Sequence, residues 1–207
     1  MSAPQRTEIN VWDRFVRIGH WLLAGAFLTA YFTEDDWLTT HVWAGYVAGA
    51  IVLWRIVWGF VGSPHARFRD FVFAPTQSLR YLGALLRGRA QRYIGHSPAG
   101  AAMVFALLIG VATTTASGVM VYAYDKHAGP LASVVASHYQ GLSKAERHRA
   151  YERAEDFWEE THELLANLTL FLVVLHVGGV ALASLAHREN LVRAMLTGRK
   201  RAGDQHP

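Results

Sequence analysis

Four histidines lie within or at the ends of apolar runs: His20, His41, His162 and His176. His162 and His176 share one run, Trp158–Val180, fourteen residues apart. An α-helix turns about 100° and rises about 1.5 Å per residue. Fourteen residues return to within about 40° of the same face, roughly 21 Å further along the axis. Two imidazoles so placed cannot share one metal ion. They can serve two cofactors, one above the other, in a hydrocarbon layer about 30 Å thick. Imidazole is an axial ligand of haem iron.

The elements that must position these histidines are membrane spans. Of 207 residues 52% are hydrophobic and only 17% charged, and the charges are clustered. A soluble domain would intersperse them at helical spacing. Uncharged stretches approach the roughly 20 residues that a spanning helix needs. Spans are predicted at about 15–33, 37–61, 98–124 and 161–185. The first is read as a span rather than a signal peptide, because a His–Trp pair is foreign to such a core and no clean cleavage site follows. The fold class predicted is all-α, an integral membrane four-helix bundle forming one domain over 1–207.

The net charge of +4 and a pI near 9.6 do not argue for nucleic acid, since the basic residues fall in loops beside apolar runs. The lead carries Arg6, Arg14 and Arg17, and the tail Arg188, Arg193, Arg199, Lys200 and Arg201. The second loop carries Arg67, Arg69, Arg80, Arg87, Arg89 and Arg92 against Asp70 alone. The first loop holds Glu34, Asp35 and Asp36, and the third, Asp125–Thr161, is net negative. The positive-inside rule then places both termini in the cytoplasm. Within the second loop, Leu79, Leu82, Leu85 and Leu86 have helical spacing, as in a short amphipathic helix on a membrane surface or an ordinary solvated loop helix. In the third, Ser143 and Glu146 have the spacing of a capping box that opens a polar helix.

Orientation sorts the histidines by depth. His20 pairs with His176 on the inner side, and His41 with His162 on the outer side. Each pair joins two helices at one depth, the arrangement that clamps a flat macrocycle at both axial positions inside a bundle. Zinc needs about four ligands at one depth, and each depth offers two. A proton relay would recruit intramembrane Asp or Glu, and none lies deep in these spans. The chain has no Cys, which excludes cysteine-ligated clusters and covalent haem attachment. Arg55 follows His41 by fourteen residues and reaches the depth of the inner pair. It is read either as a partner of haem propionates or as an arginine snorkelling to the interface. Arg17, three residues before His20, is a second propionate candidate. Gly45, one turn after His41, leaves room for a porphyrin face or for helix packing, and Gly110 and Gly118 offer flat faces for neighbouring helices. His96, His127, His138 and His148 lie in or near loops and are treated as unliganded.

Arg17-Ile-Gly-His20-Trp21, His41-Val-Trp-Ala-Gly45 and the run from His162 to His176 resemble the bacterial cytochrome b561 family. That family includes b-type subunits of membrane nickel–iron hydrogenases and stand-alone quinone-linked cytochromes. The resemblance covers about Val11 to Met195. It implies four spans in the bacterial inner membrane and two haem b groups with axial ligands at His20, His41, His162 and His176. It also implies electron exchange with membrane quinone. The segment Arg92–Gly100 resembles the hydrogenase branch, whose partners are c-type cytochromes or dehydrogenases. Two functional classes follow: an electron-transfer subunit, or a self-sufficient oxidoreductase such as one oxidising superoxide and reducing ubiquinone. The second calls for a basic approach to the outer haem, whereas the first and third loops are acidic.

Overall fold

The computed structural model describes residues 8–34 and 37–202. Arg6, Asp35 and Asp36, which enter the charge argument above, lie outside the described residues. In chain order the elements are β1 (Glu8–Asn10), α1 (Arg14–Tyr31), α2 (Leu38–Val61), α3 (Pro75–Leu86), α4 (Pro98–Asp125), α5 (Ala132–His138), α6 (Lys144–Ala186), α7 (Leu191–Thr197) and β2 (Arg199–Arg201). A single 3-10 turn covers Phe68–Asp70.

The apolar runs form helices with nearly the expected bounds. α2, α4 and α6 are long and apolar enough to cross a membrane. α1 has 18 residues and is not among those three. Arg14 and Arg17 occupy its first turn, so its uncharged part begins only at Ile18. Its start is fixed by Asp13, whose carboxylate accepts from the backbone N–H of Val16 at 2.8 Å, an N-cap contact. The same carboxylate accepts from Trp58 Nε1 at 3.0 Å and from the Ser63 hydroxyl. Burial pushes the Asp13 carboxyl up, but these hydrogen bonds hold it below the usual carboxylate range.

The third loop is mostly helical. α5 occupies part of it, and α6 begins at Lys144 and continues without a break into the apolar run. Ser143 and Glu146 form the expected capping box: the Ser143 N–H donates to Glu146 Oε2 at 3.1 Å. The Glu146 N–H in turn donates to Ser143 Oγ at 3.4 Å. The two ends of the chain were read only as polar segments, yet β1 pairs antiparallel with β2, Ile9 opposite Lys200. α7 has an Asn190 cap accepting from the Arg193 N–H at 2.8 Å. It ends at Gly198, whose φ of 81° suits a left-handed terminating residue.

The chain divides into two compact units. The first comprises Met1–Leu23, Leu53–Leu107 and Leu172–Pro207. Its interior polar centre is Glu189, which takes a bidentate pair of hydrogen bonds from Arg92 at 3.1 and 2.7 Å. Lys200 Nζ approaches the other side at 3.7 Å and donates to the Tyr93 carbonyl at 2.9 Å. Burial pushes the Glu189 carboxyl up, while Arg92 and Lys200 together draw it below the usual value. The second unit comprises Ala24–Val52 and Leu108–Phe171. There Ala123, Tyr124 and Val135 form a buried cluster flanked by Tyr139, Tyr151 and Trp158, which fastens α5 to α4 and α6.

Glu189 is the one acid at this junction, with side-chain exposure of 9% beside a Lys200 at 5%. E189Q leaves two cations facing each other without their carboxylate, and breaking such a buried pair costs about 3 kcal/mol or more. The expected result is a lower unfolding temperature in detergent and tryptic cleavage at Lys200. The depressed folded value also gives a sign with pH. The stabilisation is complete above the ordinary Glu value and is lost as pH falls through the lower folded one. Tail cleavage that is unchanged in E189Q and in acid contradicts this assignment.

Candidate functional site

The four histidines come together in the two pairs that the depth argument predicts. His20 of α1 faces His176 of α6 in the first unit, with ring centroids 6.2 Å apart. His41 of α2 faces His162 of α6 in the second unit, at 6.0 Å. An imidazole nitrogen sits about 2 Å from a bound metal, with its ring centre roughly 1.1 Å further off, so two rings across one metal have centres roughly 6 Å apart. Both observed separations match that value. Among the described residues no group of three or more His, Cys, Asp or Glu could hold a metal ion. Among the described residues each pair therefore provides two donors only, and a metal held there would draw its remaining ligands from outside this set, as haem iron does from its porphyrin.

In the second unit the donor nitrogens are settled by hydrogen bonding. His41 Nδ1 lies 2.9 Å from the Ala30 carbonyl in the last turn of α1, which also accepts from the Thr33 N–H at 3.2 Å. A carbonyl only accepts, so Nδ1 carries the proton and Nε2 presents its lone pair. His162 Nδ1 lies 3.0 Å from the Thr114 carbonyl and 3.0 Å from Ser117 Oγ, which fixes the same tautomer. Ser117 in turn donates to the Thr114 carbonyl at 2.9 Å. The Thr114 hydroxyl meets that of Thr169 at 3.1 Å, joining α4 to α6.

Glycines shape the same place. A Cβ on Gly118 would come within 2.8 Å of His162 Cε1, so this position must lack a side chain for the ring to stand where it does. A Cβ on Gly49 would meet Thr115 Cγ2 at 2.7 Å, the signature of close packing between α2 and α4. A Cβ on Gly45 would meet nothing within 4 Å. Gly45 therefore borders open space instead of a neighbouring helix. It lines a cavity with His41, His162, Phe27, Thr115 and Tyr122.

The first unit differs in its polar bookkeeping. Among the described residues four buried side-chain atoms have no hydrogen-bond partner: Arg17 Nε, His20 Nδ1, Arg55 Nη1 and His96 Nδ1. All four residues belong to this unit. Buried polar groups in native proteins are nearly always paired, and such a cluster fits an acceptor that completes it. Arg17 and Arg55 are each half engaged. Arg17 Nη2 donates to the Leu196 carbonyl, and Arg55 Nη2 donates to the Ala66 carbonyl at 3.0 Å. Arg55 also lies over the Phe68 ring at 5.2 Å. The donor set suits the carboxylates of a haem, and the two histidine pairs suit its iron.

Sequence reasoning missed Thr114, Ser117 and Gly118 as the setting of His162, and it set His96 aside as a loop residue. The polar run Thr113-Thr114-Thr115-Ala116-Ser117 inside an apolar helix was the available signal. His96 packs between Trp12 at 4.7 Å and Phe71 at 4.2 Å. Burial, with the charges of Arg55, Lys200 and His65, pushes it down to about 3, so it stays neutral. His127 lies in a left-handed turn at φ 50°, His138 ends α5, and His148 pairs with Glu152 along α6 at 3.3 Å.

A protein described as Probable Ni/Fe-hydrogenase B-type cytochrome subunit of Azotobacter chroococcum mcd 1 is 24% identical, over 100% of this chain and 94% of its own length. One of the same description from Bradyrhizobium diazoefficiens is 22% identical over 98% of this chain and 90% of its own length. No solved structure matches the chain significantly. The family model of prokaryotic cytochrome b561 matches residues 11–198. The chain therefore belongs to the prokaryotic cytochrome b561 family, multi-pass membrane helical proteins that transfer electrons through b-type haem.

Proposed function

We propose that this chain is a four-span cytochrome of the bacterial inner membrane, a single domain with both termini cytoplasmic. Its two histidine pairs would hold two haem b groups, through which electrons would pass between membrane quinone and a redox partner. The observation that carries the reading is the pair of imidazole separations, 6.2 Å for His20 and His176 and 6.0 Å for His41 and His162. α1 is the fourth span, with Phe15, Val16 and the residues after Tyr31 extending its short uncharged part. The pairing of β1 with β2 supports two termini on one side, and the arginines of the connecting segments support that side being cytoplasmic.

Haem b supplies one-electron chemistry when bound. The protein does the rest. His41 and His162 are held in the Nε2-donor tautomer by carbonyls of α1 and α4, which raises ligand basicity and fixes ring orientation. Gly45 leaves space for a porphyrin face. Arg17 and Arg55 provide the buried N–H groups that a propionate of the His20/His176 haem would accept from. With two protein ligands at each iron, neither is open to bind oxygen. The partner is taken to be a hydrogenase or another dehydrogenase, or a c-type cytochrome. The first rests on the names of the relatives.

Three outcomes are expected. Purified protein should contain two non-covalent haem b per chain by pyridine haemochrome assay, and a value of one contradicts the two-site reading. In redox titration, His20→Ala and His176→Ala should remove one component, and His41→Ala and His162→Ala the other. Loss of the same component in His20→Ala and His41→Ala would show the pairing to be wrong. Arg55→Leu removes a cation from carboxylates in a low-dielectric place, which disfavours the reduced haem. The potential of the His20/His176 haem should fall by tens of millivolts, where about 59 mV is a tenfold change for one electron. The other potential should stay fixed. Lower expression with both potentials unchanged would leave Arg55 a snorkelling residue.

A further inference from the structure

The second connecting segment bears a surface that electron transfer does not use. We propose that α3, with Arg80, Arg87 and Arg89, is a binding surface for anionic phospholipid head groups. The inference does not depend on the haem assignment.

α3 is amphipathic in an unusual sense, because both of its long faces are apolar. The inner face is anchored: Tyr81 and Leu85 are buried, Ser78 Oγ donates to the Pro98 carbonyl at 2.9 Å, and the Tyr81 hydroxyl meets His187 Nε2 at 3.2 Å. The outer face is a second stripe. Leu79, Leu82 and Leu86 follow at three- and four-residue spacing and are 70%, 44% and 69% exposed, and Val72 just before the helix is 65% exposed. In water such a stripe costs free energy in proportion to its apolar area, and among the described residues none covers it.

The charges beside the stripe say what does. Arg80 and Arg87 are seven residues apart, within about 20° of two full turns, so they line one flank of the leucines. Both are exposed, as is Arg89 beyond the left-handed Gly88. Among the described residues none of the three forms an ion pair. Asp70, the one acid between Gly62 and Arg92, is engaged by Arg67 at 3.1 Å and Arg69 at 3.7 Å. Connectivity gives the place. α3 lies between α2 and α4, both apolar enough to cross a membrane, and is joined to them through residues 62–74 and 87–97. A helix tethered at the bilayer boundary, with leucines outward and unpaired arginines along their flank, matches acyl chains beneath a layer of phosphates. Guanidinium forks bind phosphate oxygens bidentately, which favours anionic over zwitterionic lipid.

The test uses the purified full-length, haem-loaded protein. Native mass spectrometry counts bound phosphatidylglycerol and phosphatidylcholine after exchange into mixed micelles of the two. Wild type should retain phosphatidylglycerol preferentially. R80Q/R87Q should lose about tenfold or more of that preference, since each cation near the membrane surface contributes about fivefold. R80K/R87K should keep most of it, and R149Q, on the polar part of α6, should keep it all. An unchanged absorption spectrum shows that the variants are folded. Equal retention of the two lipids by wild type, or full preference in R80Q/R87Q, overturns the proposal. So does displacement of the lipid by millimolar inorganic phosphate, which would make the surface a reader of free anions.

Discussion

Two imidazoles from different helices, held with ring centres about 6 Å apart, impose the constraint on which much of this structure depends. Bringing two polar rings together inside an apolar bundle is costly unless each ring has somewhere to place its second nitrogen. In the second unit the answer is a backbone carbonyl of a neighbouring helix, shared with that helix's own donors. Ala30 lies in the last turn of α1, and its carbonyl accepts from His41. Thr114 lies mid-helix, and its carbonyl is shared among the helix, Ser117 and His162. Gly118 removes the one side chain that would displace the His162 ring. The position of the His162 ring on α6 is thus set by Thr114, Ser117 and Gly118 of α4.

The first unit meets the same constraint differently. In the unit that holds His20 and His176, and among the described residues, Arg17, Arg55, His20 and His96 each keep a buried nitrogen without a partner. Elsewhere in this unit polar groups are matched closely. Asp13 is satisfied three times over, by Val16, Trp58 and Ser63. Glu189 neutralises both Arg92 and Lys200. The contrast leaves Arg17 and Arg55 with buried N–H groups free to donate, which supports the proposal that they meet an anionic group such as a haem carboxylate.

The chain ends serve this unit. β1 and β2 are only three residues each, too short to be stable alone. They hold because Lys200 is buried against Glu189 and Tyr93 and Val11 and Trp12 donate to the Gly198 carbonyl. Arg17, which begins α1 next to His20, is tied to the same tail through the Leu196 carbonyl. A segment that looks like charged ballast in the sequence is in fact packed against the residues nearest one histidine pair.

Much of this was written in the sequence because a bilayer leaves the chain few choices. Backbone polar groups must be satisfied within the segment, so uncharged runs become helices, and the bounds of α2 and α4 followed to within one residue. Helical periodicity put His162 and His176 on one face, and the alternation of loop charge matched His20 to His176 and His41 to His162. The Ser143–Glu146 box and the Leu spacing of α3 were equally local signals. The remainder depended on contacts between residues far apart in the chain. Gly45 and Gly49 look alike in sequence, but one borders open space and the other touches Thr115. His96 resembles any loop histidine until Trp12 and Phe71 close around it. Nothing in the spacing of α4 says that Thr114 will meet a ring 48 residues away, or that residues 8–10 will pair with residues 199–201. Periodicity is a property of one helix, whereas the partner of a side chain is decided by which neighbour the packing brings to it.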